Sequence, residues 1–254
     1  MPELSVVTPV FNSARYLAAT LDSVARLTVA HEHIVVDGGS SDGTVELLGS
    51  RDDPSLTWVS EPDRGQTHAV NKGFERAEGT LLAWLNGDDE YFPEAVDRAT
   101  RHLLARPGLD AVFGEMEVTD GDGRVRRQFR SGDFRWRRYL YLGDFLPTPT
   151  MIFRRNLLDG VGVLDESYVD AADYDFFLRL LRNASVERLP EVLVRFRYHP
   201  ESKTARDAFR GQDEALAIRL KWARRAHERI VMRSIDRAKR LILPRISPWP
   251  RMFA

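Results

Sequence analysis

The sequence predicts an α/β protein: a Rossmann-like, mostly parallel sheet flanked by helices, with a helical extension at the C-terminus. Three observations predict it. Short β-branched runs alternate with amphipathic segments through the first 118 residues, the pattern of parallel strands joined by helices. The first four of those runs end in polar residues, where open parallel sheets place their ligands. The chain has 254 residues, 43% hydrophobic and 30% charged, enough for one large domain core plus an appendage.

The elements follow in order. "LSVVTPV" (4–10) is a β-branched strand, and "ARYLAATLDSVARL" (14–27) repeats Leu17, Leu21, Val24 and Leu27 at helical spacing. "EHIVVDGG" is a second strand entering a glycine turn, "TVELLGS" a short helix, and "LTWVSEP" a third strand. "QTHAVNKGFERA" is a helix that stops at Gly79. "TLLAWLN" is a fourth strand, "PEAVDRATRHLLARP" a helix with proline near its start, and "DAVFGEMEV" a fifth strand. The alternation then breaks. Residues 120–147 are rich in Gly, Asp, Arg and aromatics, with a hairpin turn expected at "DGDG" (120–123). "TMIFRR" (150–155) reads as a strand, "ADYDFFLRLLR" (172–182) as a helix and "VLVRFRYH" (192–199) as a strand. From about Arg206 a long helix is expected, ending at Pro244.

Composition narrows the chemistry. There are no cysteines, which excludes disulfides, thiolate-held metals and thiol catalysis in this chain. No apolar run approaches the ~20 residues of a spanning helix. The strand-like start "ELSVVTPV" lacks the basic and apolar regions of a signal peptide, so a cytoplasmic location is expected. The net charge of −1 hides an asymmetry. From Arg219 onward there are eleven Lys/Arg and two acids, which leaves 26 basic and 36 acidic residues in positions 1–218. An acidic body with a basic tail points to a partner.

The four strand tips carry Thr8-Pro9-Val10-Phe11-Asn12, Asp37-Gly38-Gly39-Ser40, Glu61-Pro62-Asp63-Arg64-Gly65 and Asn86-Gly87-Asp88-Asp89. Carboxylates gathered there suit a cation that meets a phosphate. Any one of them serves equally as a helix N-cap or turn residue, and loops in general favour such positions.

Taken together, "VVTPVFNSARYLAATLDSV", "HIVVDGGSSDGT", "DRGQTHAVNKGFERAEGTLLAWLNGDDEYFPEAV" and "LDESYVDAADYDFFLRL" resemble family 2 glycosyltransferases of the GT-A fold. The resemblance covers roughly residues 4–200. It implies a domain over 1–205, with a nucleotide-sugar half (about 1–115) and an acceptor half (about 116–205), followed by the basic helical extension 206–254. It also implies an inverting, metal-dependent enzyme that moves a sugar from a UDP- or dTDP-sugar to an acceptor hydroxyl, in cell-surface polysaccharide or glycoconjugate synthesis. Thr8, Pro9 and Asp37 would hold the nucleoside, and a carboxylate can accept from the N–H of uracil or thymine. Gly38 stands where the family's turn has a second acid. Asp63 to Lys72 would border the nucleoside and diphosphate, with Lys72 either offsetting phosphate charge or lying solvated on its helix.

Asn86-Gly87-Asp88 occupies the place of the family's Asp-x-Asp motif, with Asn replacing the first acid. Asp88, supported by Asp89, would bind Mg2+ or Mn2+, and Asn86 would bond a ribose or a water. Within "AADYDFFLRL", Asp173 matches the catalytic base, Ala172 replaces the preceding Glu, and Asp175 is the nearest substitute. Both acids also suit a helix N-terminus on electrostatic grounds alone. His199, in "RFRYHPESKT", would complete the metal shell or touch the diphosphate, or else is structural. Phe134, Trp136, Tyr139 and Tyr141, with Arg135, Arg137 and Arg138, would form the acceptor side or a packed surface hairpin.

Residues 219–254 fit a solvated helix, an oligomer contact or an anionic membrane surface, with Trp222, Ile230, Ile235 and Trp249 beside the arginines. Association with the inner membrane face and a saccharide or lipid-linked acceptor would then follow. No nucleic-acid motif is present, and the sequence leaves the oligomeric state open. The competing class is a nucleotide-sugar-binding partner subunit without transfer activity, kept open by Gly38, Asn86 and Ala172. Sugar-phosphate nucleotidyltransfer would want a Gly-rich basic loop, and "TPVFNSARY" is neither.

Overall fold

The computed structural model describes residues 1–143, 146–203 and 210–246. Its first half is β1 (Leu4–Val10), α1 (Ala14–Ala25), β2 (His31–Asp37), α2 (Thr44–Gly49), β3 (Leu56–Ser60), α3 (Gln66–Arg76) and β4 (Leu81–Trp84). The four strands are parallel in the order β3-β2-β1-β4. Their register places Val10 beside Asp37 and Asp37 beside Ser60. Three strand tips therefore end level with one another.

The chain continues through β5 (Glu90–Tyr91), α4 (Pro93–Leu104), β6 (Ala111–Thr119), β7 (Val125–Phe129), α5 (Trp136–Leu142), a 3-10 turn at Thr148–Thr150 and β8 (Ile152–Arg154). A second 3-10 turn at Arg155–Leu157 leads to α6 (Leu158–Val161), α7 (Ala172–Leu180), β9 (Val186–Arg197), α8 (Arg210–Trp222) and α9 (Ala226–Ile246). The sheet extends from β4 as β8-β6-β9-β5, with β7 paired to β6. Among the described residues β5, β7 and β8 run against the other strands, so the sheet is mostly parallel, as expected.

β1 is the centre of the core and is buried along its whole length. Leu4 and Val6 pack on one face with Leu81, Ala83 and Val96. Val7 packs on the other with Val70, Phe74 and Phe176. α3 crosses β1 at Gly73, where an added Cβ would lie 2.2 Å from Val7 Cγ1. Only glycine lets the helix come that close.

The structure corrects the sequence reading at several elements. β5 lies inside "DDEYFPEA" and exists through antiparallel pairing with Val194 and Arg195, a long-range partnership with no local signal. β9 begins at Val186, not 192, and includes Pro190. Its ladder with β6 is irregular between Phe113 and Glu115, so the proline falls where an N–H is not required. Residues 136–142, expected to be irregular, form α5, with Tyr139 and Leu140 buried. The expected long C-terminal helix is two helices, and α9 runs past Pro244 to Ile246. At the break Glu228 Oε2 accepts from the N–H groups of Arg224 and Arg225 at 2.8 and 2.9 Å.

α8 and α9 do not stand apart. Ile218 and Met232 belong to the same core as Tyr174 and Phe176. Arg219 and Asp236 form an ion pair at 2.9 Å, with side chains only 2% and 6% exposed.

His33 is fully buried on β2, its Nε2 2.9 Å from Thr8 Oγ1. Burial, helped by the charge of His31 and opposed by Asp53, pushes its imidazole down to about 3. The fold thus holds His33 neutral while the unfolded chain protonates it near 6.5. Its contribution to stability is complete above about pH 6.5 and is lost as pH falls toward 3. Urea unfolding between pH 7.5 and 5 should show stability falling with a slope of up to about 1.4 kcal/mol per pH unit from this one group. His33→Gln should flatten that slope; an unchanged slope would refute the assignment.

Candidate functional site

The loops after β1 and β2 are laced together. Asn12 adopts a left-handed backbone (φ +49°), which asparagine tolerates better than most residues. Its N–H donates to Ser40 Oγ at 2.7 Å and its Oδ1 accepts from the Ser41 N–H at 3.0 Å. Asp42 accepts from the N–H of Ala14, which opens α1, at 3.0 Å and from the N–H of Thr44, which opens α2, at 3.1 Å. Partial burial opposes ionisation here, but these bonds and the Thr44 hydroxyl hold the carboxyl below its ordinary range. "SSDGT" is therefore a double helix cap.

Asp37 lies under this lacing, fully buried. Its Oδ2 accepts from the N–H groups of Gly39 and Ser40 and from Ser60 Oγ at 3.1, 2.9 and 2.6 Å, and its Oδ1 accepts from Ser40 Oγ. A Cβ at Gly38 would lie 2.6 Å from Asp63 Oδ2. The missing second acid thus makes room for Asp63, whose Oδ1 accepts from the Gly65 N–H at 2.7 Å. Thr8 is also fully buried, and its hydroxyl is engaged by His33; any nucleoside contact there falls to the backbone. Pro9, buried beside it, offers no N–H.

The two neighbouring aspartates face opposite ways. Asp88 keeps 28% of its side chain exposed, and its Oδ2 lies 3.1 Å from His199 Nε2. Asp89 is fully buried: Oδ1 accepts from the Arg197 N–H at 3.0 Å, Oδ2 accepts from Asn86 Nδ2 at 3.2 Å, and its carbonyl accepts from Thr20 Oγ1 at 2.7 Å. Burial, then the charge of Asp88, raises the Asp89 carboxyl well above its ordinary range. The support expected from Asp89 as a metal ligand is corrected to a positioning role, since both of its oxygens are engaged inside the protein. Asn86 also accepts from Gln66 Nε2 at 2.8 Å and Trp84 Nε1 at 3.0 Å. Its amide is needed here, because an ionised aspartate could not donate to Asp89.

Arg197, which the sequence reading passed over, fastens this tip. It donates to the Asp88 carbonyl, the Gly121 carbonyl and Glu90. Its guanidinium also covers the Tyr16 ring, 4.9 Å from the centroid, and that ring lies 4.7 Å from the His199 ring. Alternation along "VRFRYH" marks it only as one of two arginines on a strand.

Asp173 is half-buried at the start of α7. Its Oδ2 accepts from Thr148 Oγ1 at 2.9 Å and its Oδ1 from the Tyr174 N–H at 2.7 Å. Asp175 is corrected as a substitute base: it is buried and paired with Arg179 at 2.8 Å, and Arg179 also holds the carbonyls of Val161 and Val163. Lys72 is largely buried and paired with Glu61 at 2.8 Å, so it does not lie solvated on its helix. Trp136 donates to the Leu178 carbonyl and packs edge-on against Trp222 at 5.3 Å, while Tyr139 packs on Tyr174 at 5.0 Å. These aromatics fill the seam between α5, α7 and α8 rather than an open sugar platform.

Among the described residues no three His, Asp or Glu side chains gather around one point. A closed protein cage for a metal is therefore absent among them. Asp88 and His199 still fit an ion bridged to a ligand. Asp88 Oδ2 and His199 Nε2 lie 3.1 Å apart, within hydrogen-bond distance, and both are donor atoms that an ion could take. Magnesium commonly takes only one or two protein carboxylates and completes its shell with phosphate oxygens and water.

Known proteins resemble this chain in sequence and in fold. The sequence profile described as Glycosyl transferase family 2 matches residues 5–162. An uncharacterised glycosyltransferase of Mycobacterium tuberculosis is 34% identical over 182 residues, covering 70% of this chain and 68% of that protein. A PGL/p-HBAD biosynthesis glycosyltransferase of Mycobacterium bovis is 31% identical over 208 residues, covering 76% and 75%. The crystal structure of S. aureus TarS 1–349 with UDP-GlcNAc superposes with a TM-score of 0.71 at 20% identity, covering 94% of this chain and 73% of that one. The mannosyltransferase PcManGT from Pyrobaculum calidifontis, in complex with GDP-Man and Mn2+, superposes at 0.64 and 20% identity, covering 98% and 71%. The fold is the GT-A glycosyltransferase fold of these structures.

Asn86 tests the account of the tip. Asn86→Asp places a second carboxylate against buried Asp89 and removes the only donor to Asp89 Oδ2 among the described residues. It should cost about 2 kcal/mol at pH 8, from like-charge repulsion and an unsatisfied buried group. Thermal melting should fall by roughly 4–8 °C at that cost for a chain of this size, with most of the loss recovered at pH 5, where one carboxyl takes up a proton. Equal losses at both pH values would rule the explanation out.

Proposed function

Because the chain belongs to glycosyl transferase family 2, and is a transferase as such, we propose that it moves a sugar from a UDP- or dTDP-sugar to an acceptor hydroxyl with inversion, using Mg2+ or Mn2+. One observation carries this reading: of two adjacent carboxylates at the β4 tip, the fold buries Asp89 and leaves Asp88 open beside His199. Asp88 and His199 would hold the ion. When bound, it supplies positive charge that stabilises the departing nucleoside diphosphate.

The other roles fall to the chain's own groups. Among the described residues Asp37 Oδ1 accepts from Ser40 Oγ alone, so it can take one further donor, the N–H of a pyrimidine base. Asp63 borders the nucleoside from the β3 tip, and Asn86 orients a ribose hydroxyl or a water. Asp173 takes the proton from the acceptor hydroxyl as that oxygen attacks the anomeric carbon, and Thr148 holds the carboxylate in place. We assign Lys72 to its ion pair. The groups that meet the substrates lie in residues 1–205, with the donor bound in 1–115 and the acceptor in 116–205. The donor class is supported by the UDP-GlcNAc held by TarS, and glycoconjugate synthesis by the relative named for PGL/p-HBAD biosynthesis.

The basic tail is assigned to an anionic membrane surface carrying a lipid-linked acceptor. Arg219, Lys221, Lys239 and Arg240 are spent on contacts inside the protein. Arg224, Arg225, Arg229, Arg233 and Arg237 face outward, beside Ile230, Val231 and Leu241 at 65%, 43% and 62% exposure. Apolar anchors among arginines suit a headgroup region. Trp249 lies outside the described residues, and among those residues no helix is long and apolar enough to cross a membrane.

Two variants separate binding from chemistry. In calorimetry with UDP and Mn2+, Asp88→Asn should lose the metal-dependent part of the affinity. Asp173→Asn should keep UDP affinity and lose turnover of a UDP-sugar by roughly 10²–10⁴-fold. Tighter binding of GDP than UDP would overturn the pyrimidine reading, and full activity in Asp173→Asn would move the base elsewhere.

Binding to vesicles with anionic headgroups should fall steeply between 0.05 and 0.5 M salt, values of order set by a screening length of ~10 Å at 0.1 M. Equal binding to neutral vesicles, or none to either, would exclude the membrane assignment.

A further inference from the structure

The C-terminal extension sends one carboxylate back to the helix that carries the base. Glu214, on α8, accepts with Oε2 from the N–H groups of Asp170 at 2.7 Å and Ala171 at 2.9 Å, and both of its oxygens lie 3.1 Å from the N–H of Val169. Three consecutive amides converge on one side chain. Ala171 is the N-cap residue of α7 and brings no side chain that caps the helix. Asp173 stands in the first turn. Ala172, buried, brings no carboxylate of its own into that turn. Negative charge is favourable at a helix N-terminus, and the amides there need acceptors.

Other contacts hold the same segment. Asn71 Nδ2 donates to the Leu164 carbonyl at 3.0 Å and Asn71 Oδ1 accepts from the Leu164 N–H at 2.9 Å, while Arg64 pairs with Glu166 at 2.6 Å. Lys203 donates to the Val169 carbonyl. These grip the approach to α7 from α3 and from the end of β9. Glu214 is the group that takes the amides next to the helix.

We propose, on the transferase reading above, that Glu214 is a positioning residue for the base. It fixes where α7 begins and so sets the direction in which Asp173 meets the acceptor hydroxyl. The extension is then part of the catalytic apparatus, since the chain cannot place its base without α8. Among the described residues Thr148 and the neighbouring amide alone orient the Asp173 carboxylate; a shift of the helix start moves the carboxylate as a whole, and displacements of about 1 Å at a reacting group cost on the order of 10²-fold in rate.

The test uses the full chain and three variants, Glu214→Ala, Glu214→Gln and Glu228→Ala. Glu228 caps α9 in the same extension, away from α7, and controls for damage to the extension itself. Glu214→Ala should lower kcat for UDP-sugar turnover by roughly 10–10²-fold, leave UDP affinity within about twofold, and speed amide hydrogen exchange in the peptide spanning 169–173. Glu214→Gln keeps one acceptor oxygen and should restore most of kcat. Glu228→Ala should leave kcat at the native level. The proposal falls if Glu214→Ala lowers kcat no more than Glu228→Ala, if UDP affinity falls in parallel with kcat, or if Gln rescues nothing. A native chain that binds UDP and turns over no donor would overturn the transferase reading and this role together. Unchanged amide exchange in Glu214→Ala, with native activity intact, would overturn this role alone.

Discussion

A fully buried carboxylate whose charged neighbours make no ion pair with it is expensive, and among the described residues Asp89 is one. The fold tolerates it because every acceptor position that points inward finds a donor: the Arg197 N–H from β9, the Asn86 amide from the same tip, and the Thr20 hydroxyl from α1 on the adjoining carbonyl. Those donors come from three separate stretches of chain. The tip of β4 can therefore be satisfied only when α1 and the end of β9 are already in place. Asp88 is carried by the same backbone, so its direction toward His199 is inherited from the burial of its neighbour. Of the two adjacent acids, Asp89 is structural and Asp88 stays partly open beside His199.

The same economy runs through the β1 and β2 tips. Asp37, Asn12 and Asp42 spend their polar atoms on loop amides and helix starts. Such loops are held by many directed bonds rather than by apolar packing, which suits a place that must stay polar and yet keep its shape. Gly38 and Asn86 look like losses against the family pattern. In this chain each has a steric or hydrogen-bonding reason: space for Asp63 at one, a donor for Asp89 at the other.

The segment that carries α5 and α7 packs against the C-terminal helices. Trp136, Tyr139 and Tyr174 pack toward Trp222, Ile218 and Met232, and the buried Arg219–Asp236 pair ties α8 to α9. Breaking one partner of such a pair leaves an uncompensated buried charge and commonly costs about 3–5 kcal/mol. A basic tail that looks like an appendage by charge count thus ties Arg219, Lys221, Lys239 and Arg240 to groups within the protein and leaves a narrower arginine face to solvent.

Strand and helix alternation, the polar tips and the residues of the β4 tip were legible in the sequence by itself. Local periodicity and turn chemistry specify them within a few residues. So was the place of Asp173, because a helix start is marked by its own acids. Tertiary structure alone decided what those residues do with their atoms. It separated Asp88 from Asp89, turned Thr8 inward to His33, paired Asp175 with Arg179 and Lys72 with Glu61, and brought Arg197 and Glu214 to the site from more than a hundred residues and some forty residues away, respectively. It also created β5 and assigned the aromatics of 134–141 to packing. The reason is physical: a carboxylate's role depends on which donors reach it and how much water remains, and both are properties of surfaces that meet only when distant segments pack.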